Sequence, residues 1–309
     1  MISICWNFAI RLLWGMRKLR NFIYKVSKKY NHSENFRDVP SNGKYRSVVF
    51  EGGLGSQILP FLETIWLKHM GQPFAVNLAY FDVNEKISMG NGGADHWSFR
   101  LDRYGYSLAS LKKFGIGDDS QQEIRSERNF DLWNSDFWQF SRKFGPDLLP
   151  INQDAYLAFK SSLGLNAESR YSVVHVRRGD YLRVASKIVS DQEWLRALRM
   201  MISQIEDFLI ISSDSELPMQ TKSQVAELAS VSRVEVVFLE GGHFDECDLH
   251  DLMREADVLI ASNSTFSFTA AILGKQGMKS LIPNSFYGGS ELEEINAGVR
   301  SAGTFFVLD

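Results

Sequence analysis

Tyr171-Ser172-Val173-Val174-His175-Val176-Arg177-Arg178-Gly179-Asp180-Tyr181 is the stretch on which the fold turns. The run from Tyr171 to Val176 is apolar enough to be a strand buried on both faces, and it ends in two adjacent guanidinium groups and a flexible turn. Each guanidinium is a planar fork of donors that matches phosphate oxygens two at a time, so arginines at a strand's carboxyl end suit a diphosphate. Gly179 lets backbone approach closely, and Asp180 can orient one fork. An Arg–Asp surface salt bridge is the plain alternative for such a tetrapeptide taken alone.

Further strand candidates follow at 208–212, 234–238, 258–261 and 279–282, with helical patterns at 191–205, 218–229, 249–255 and 265–273 between them. Apolar strands alternating with helices predict an α/β fold whose parallel sheet is covered on both faces. Ligands of such sheets sit outside the carboxyl ends of the strands, where Arg177, Arg178, Asp214 and Asn263 all fall. Ser262-Asn263-Ser264-Thr265-Phe266-Ser267 follows one of these strands and opens a helix, offering free backbone N–H groups and hydroxyls to an anion. Simple N-capping is its alternative, although four hydroxyls and an amide exceed what one cap needs. A carboxylate at Asp214 can accept from a guanine edge or from ribose hydroxyls, with Asp248 and Asp251 as alternatives and a turn-initiating Asp as the structural one.

Upstream, a polar linker at 31–44 leads to a strand at 47–50, then Glu51-Gly52-Gly53-Leu54-Gly55-Ser56-Gln57, then a helical stretch to about residue 70. Strand, glycine turn and helix form a ligand cradle, but the loop lacks the Lys of a Walker motif and by itself is a tight turn. Pro60 places the start of that helix near Leu59, because proline suits a first turn and breaks an interior. A second strand is expected at 74–78. From 82 to 150 the pattern loosens and yields no assignment. Its many Trp, Tyr and Phe residues offer sugar-stacking faces or, for most of them, ordinary core packing.

At 309 residues the chain is long enough for two lobes. Cys5 and Cys247 are its only cysteines, which excludes a disulfide framework or a structural zinc site and favours a reducing compartment. No HExxH, CxxC or convincing DxD pair occurs, so a metal-dependent mechanism has no support. Residues 1–33 hold seven Lys or Arg and no acid, leaving 27 Lys plus Arg against 37 Asp plus Glu, a net minus ten, in the remainder. Within that segment apolar residues recur at Ile2, Trp6, Ala9, Leu13, Met16, Leu19, Ile23 and Val26 at helical spacing. A basic amphipathic helix predicts reversible contact with an anionic membrane surface through residues 1–30; docking on the protein's own body or a partner is the other reading. Arg11 interrupts the apolar run too early for a secretory signal, and no stretch is apolar enough to span a membrane.

Taken in order, the glycine loop 52–57, the segment 175–181 and the segment 262–267 resemble the glycosyltransferase family 11 alpha-1,2-fucosyltransferases, over roughly residues 46–285. The resemblance implies a GT-B fold, two Rossmann-like domains facing a central cleft, here 45–160 on the acceptor side and 165–309 on the nucleotide-sugar side. It also implies GDP-fucose as donor, a glycan hydroxyl as acceptor, inversion at the anomeric carbon, and neither metal nor other cofactor. Arg177 and Arg178 then hold the donor diphosphate and, with Asp180, form the expected catalytic set. Gly53, Gly55, Gln57, His175, Asp214, Asn263, Ser264, Thr265, Phe266 and Ser267 form the expected donor-binding set, with His175 supporting the strand end. Asp180, Glu51, Asp95 and His96 are the candidate bases. Ser56 stands where the family has Asn, and Phe268-Thr269 where it has an aromatic pair. These departures keep a different donor sugar or linkage open, and a nucleotide-binding, membrane-associated protein without turnover is the alternative of another class. The expected setting is surface-polysaccharide synthesis at the cytoplasmic face of a bacterial membrane, with no nucleic acid as partner.

Overall fold

The computed structural model describes residues 46–78, 80–81, 98–114, 135–178, 188–241, 244–283 and 305–308. The basic segment 1–33 and the candidates Asp95, His96 and Asp180 lie outside them.

Strand β3 (Tyr171–Val176) is buried at all six positions, as its unbroken apolar run requires. Its alternation divides two cores: Tyr171 and Val173 pack into one, Val174 and Val176 into the other. β3 pairs in parallel with β4 (Phe208–Ser213), Tyr171 opposite Phe208 and Val176 opposite Ser213. On its other side it pairs with β6 (Val258–Ile260), Val173 opposite Leu259. With β5 (Glu235–Glu240), β7 (Lys279–Pro283) and β8 (Phe305–Leu308) the order is β5-β4-β3-β6-β7-β8, every pairing parallel. The chain therefore winds outward from β3 to β5, returns to β6 beside its starting strand, and winds out the other way. In open parallel sheets such a reversal, here between the carboxyl ends of β3 and β6, is where ligands bind.

Helices α5 (Asp191–Met201) and α6 (Met219–Ser232) bury Trp194, Leu198 and Val225 against one face. Helices α7 (Glu246–Arg254) and α8 (Thr265–Ile272) bury Leu252, Phe268 and Ile272 against the other. α7 starts three residues before its expected place, capped by the Asp245 carboxylate, which accepts from the Cys247 N–H at 2.8 Å.

In the first half, β1 (Arg46–Val49) pairs in parallel with β2 (Phe74–Asn77), and α1 (Leu54–His69) follows the glycine turn. The expectation that α1 begins near Leu59 is corrected, since Pro60 lies inside the helix. An interior proline costs about 3 kcal/mol. The extra turns bury Leu54 and Ile58 at 1% and 0% exposure, and about 1.5–3 kcal/mol for each such side chain offsets the cost.

The region without a sequence assignment contains a short 3-10 turn (Leu101–Tyr104), α2 (Leu108–Lys112), α3 (Ser135–Leu148) and, just beyond it, α4 (Gln153–Ser162). Its described aromatic residues pack internally: Trp138 meets Phe268 edge-on at 5.3 Å, and Phe140 meets Trp66 at 5.2 Å. One buried cluster thus runs from β1, α1 and α3 into the α7–α8 face of the six-stranded sheet.

Candidate active site

α8 begins beside the end of β3. Ser264 caps the helix, its hydroxyl accepting from the Phe266 N–H at 3.3 Å. The loop before the cap is tied down from β3: Ser262 Oγ lies 2.8 Å from His175 Nδ1 and 3.3 Å from Ser267 Oγ, which also donates to the Ser262 carbonyl. His175 is held neutral, its pKa pushed down to about 3 first by burial and then by the Arg177 charge. Through Ser262 it ties the end of β3 to the loop entering α8.

The glycine loop reaches the same place. A Cβ on Gly55 would lie 2.5 Å from Phe266 Cα and N and 2.6 Å from the Thr265 carbonyl carbon, so only glycine lets α1 seat directly on the backbone of α8. Beside it Ser56 Oγ stands 3.2 Å from Thr265 Oγ1. Gly52 adopts φ +70°, the left-handed turn that brings the chain from β1 into α1. Gln57 is fully buried: its amide donates to the carbonyls of Gly52 and Ser98, at 2.8 and 2.9 Å, and its carbonyl accepts from the Arg100 N–H at 2.8 Å. Within the expected donor set, Gln57 is therefore committed to shaping the loop. Gly53 is the N-cap position of α1, in extended conformation and without a side-chain cap.

The two arginines part company at the end of β3. Arg177 continues the side of the strand that carries Tyr171, Val173 and His175; Arg178 continues the side of Val174 and Val176. Arg178 turns toward α5, where its guanidinium pairs with Asp191. Asp191 also accepts from Thr221 Oγ1 at 2.7 Å and from Trp194 Nε1 at 3.1 Å. Arg177 stays on the α8 side, with Nε 3.2 Å from Asp214 Oδ2 and a side chain 34% exposed against 19% for Arg178. The other oxygen of Asp214 accepts from the Arg178 backbone N–H at 2.8 Å. One carboxylate at the end of β4 thus pairs with the Arg177 guanidinium and pins the Arg177–Arg178 turn.

The structure therefore ties His175 to Ser262 and Ser267 and seats Gly55 and Ser56 on Phe266 and Thr265, while Arg177 pairs with Asp214 and the Arg178 guanidinium with Asp191. The alternatives to Asp214 are also engaged, Asp248 with Arg103 and Asp251 with Arg254 at 3.1 Å and the Tyr104 hydroxyl at 3.4 Å. Sequence reasoning missed Asp191 and Thr221, which hold Arg178. It also missed a clasp in which Arg100 pairs with Asp245 and Glu246, each at 2.9 Å, and Arg103 with Asp248. Only the alternation of side chains along β3 could have revealed the divergence of the arginines; the clasp joins residues about 145 positions apart and leaves no local signal.

A family model described as Glycosyl transferase family 11 matches residues 136–299, just over half of the chain and inclusive of both the β3 and α8 segments. No curated protein sequence matches it. Among solved structures, the chain is similar to POFUT1 in complex with GDP-fucose, with a TM-score of 0.44 and 12% identity over 79% of this chain and 98% of that one. It is also similar to POFUT1 in its apo form, with a TM-score of 0.36 and 13% identity over 74% of this chain and 71% of that one.

Proposed function

Because the chain belongs to glycosyltransferase family 11, we propose that it moves fucose from GDP-fucose to a glycan hydroxyl. The linkage is alpha-1,2, formed with inversion and without a metal. The observation that carries this reading is Arg177, paired with Asp214 at the end of β3, where the strand order reverses and where His175 ties the strand to the loop that enters α8. Breaking the bond between fucosyl C1 and the phosphate oxygen leaves the electron pair on GDP. Positive charge has to be in place where that negative charge develops. The Arg177 fork and the helix end supply it, each charge-assisted hydrogen bond contributing about 1.5–3 kcal/mol. Arg178 is a positioning residue: its N–H on Asp214 and its ion pair with Asp191 fix the turn from which Arg177 projects. The acceptor oxygen bonds to C1 from the opposite face, and its proton passes to a base, for which Glu51, Asp180, Asp95 and His96 are the candidates.

The setting proposed with it is surface-polysaccharide synthesis at an inner membrane face, with attachment through residues 1–30. Among the described residues no helix is long and apolar enough to cross a membrane. The test is transfer from GDP-fucose in EDTA by wild type and Arg177→Ala, with calorimetry of GDP against UDP and CDP. Metal-free transfer lost in the variant, with GDP preferred, is the expected result. Equal affinities for the three nucleotides, or transfer that survives the substitution, would overturn it.

A further inference from the structure

We propose that a cavity at the end of α8 away from the proposed donor site binds a phosphate-bearing small molecule. It is a half-open pocket of about 700 Å³ between α3, the carboxyl ends of α7 and α8, and the chain leading into α4. That size falls within the range of small-molecule sites. α8 has eight residues, which separates this cavity from the proposed donor site by about 12 Å along its axis.

Four cations line it: Arg142 and Lys143 from α3, Arg254 from the last turn of α7, and Lys275 beyond α8; Glu255 is the one carboxylate among its lining residues. Helix carboxyl ends attract cations, and part of the cluster answers to that. Arg142 donates to the Ala271 carbonyl and Arg254 to the Leu273 carbonyl, both at 3.4 Å. Arg254 also spends one nitrogen on Asp251, and Lys275 spends its ammonium on Asp257 at 2.7 Å. Capping accounts for neither a cavity between these groups nor exposed Lys143 at its rim. Burial pulls the Arg142 guanidinium below the usual arginine range, a cost that an oxyanion alongside it would relieve. Cations from three separate elements, two of them planar forks, suit a multiply charged phosphate better than a single carboxylate.

The test titrates pyrophosphate into the full-length chain carrying Arg177→Ala, so that the donor site does not contribute. Binding is expected to persist there and to weaken about tenfold or more when Arg142→Gln and Lys143→Gln are added, while Arg142→Lys, which keeps the charge and loses the fork, falls between wild type and Arg142→Gln. GDP affinity of the Arg142→Gln/Lys143→Gln protein with Arg177 intact is expected to be unchanged, which separates this site from the donor reading. Should the double variant fold poorly, Lys143→Gln alone is expected to weaken pyrophosphate severalfold. Phosphatidylcholine vesicles doped with phosphatidic acid distinguish the source: sedimentation lost in the same variants assigns a lipid-borne phosphate, and pyrophosphate binding alone a soluble one. No binding of either probe, or binding indifferent to Arg142 and Lys143, overturns the proposal.

Discussion

Gly55→Ala tests how α1 and α8 are joined. The added methyl would sit 2.5 Å from the Phe266 backbone, whereas ordinary carbon contacts begin near 3.4 Å, so α1 and α8 must separate by about 1 Å. Neither partner can yield by rotating a side chain, because both contacts are backbone. Overpacking of this kind costs about 1–3 kcal/mol, and the same displacement stretches the 3.2 Å Ser56–Thr265 contact beyond hydrogen-bonding range. Gly274→Ala is the control: its methyl would meet the Met278 Cε at a nominal 2.0 Å, but that atom ends a flexible side chain and can move. Urea unfolding followed by circular dichroism is expected to show Gly55→Ala losing about 2 kcal/mol and more than Gly274→Ala, with unchanged m. GDP affinity should fall roughly tenfold or more in the first variant only, since a 1 Å misplacement at a site is costly. Gly55→Ala as stable as wild type, or less harmful than Gly274→Ala, would refute the close seating of α1 on α8.

Asp191→Asn strands the partly buried Arg178 guanidinium and is expected to cost about 1–3 kcal/mol in urea unfolding while changing GDP affinity only a few-fold; a loss of GDP binding equal to that of Arg177→Ala would return Arg178 to the diphosphate. His250, fully buried with Nε2 3.0 Å from Thr269 Oγ1, has its pKa lowered well below the usual value by burial and by Arg254. The unfolded chain then binds a proton that the native one refuses, so His250 makes stability fall as pH drops below about 6.5, by roughly 1.4 kcal/mol per unit at most. His175 acts with the same sign down to about 3, while Asp251, raised to about 6 by burial, opposes both between about 6 and 4. Unfolding midpoints of wild type and His250→Gln between pH 7 and 5 should diverge accordingly, the variant showing the shallower decline; parallel curves would contradict a neutral buried imidazole. Deleting residues 1–30 is expected to abolish sedimentation with anionic liposomes and to spare GDP affinity, and unchanged sedimentation would remove the membrane contact.

The parts of the fold legible in sequence were those where one local rule decides. β3 matches its expected ends because an uninterrupted apolar run stops at two charges, and α5 begins at a capping box in which Ser190 and Glu193 satisfy each other's backbone. α3 was hidden because Gly145 and Pro146 lie inside it, and both speak against a helix. A Cβ on that glycine would meet Leu273 Cδ2, the end of a side chain, at 2.3 Å. The start of α8 could be placed from its hydroxyls, but not that Gly55, some 210 residues earlier, seats against it. Adjacency suggested that Arg177 and Arg178 act as a pair; the period of two along a strand sends them to opposite faces, and Asp191 waits on the far one.

The most direct measurement is calorimetric titration of GDP, at fixed ionic strength, into wild type, Arg177→Ala and Arg178→Ala. A guanidinium on the diphosphate makes Arg177→Ala about ten- to 150-fold weaker, with Arg178→Ala reduced only a few-fold. Equal affinities for wild type and Arg177→Ala, or a larger loss at Arg178, would contradict the assignment.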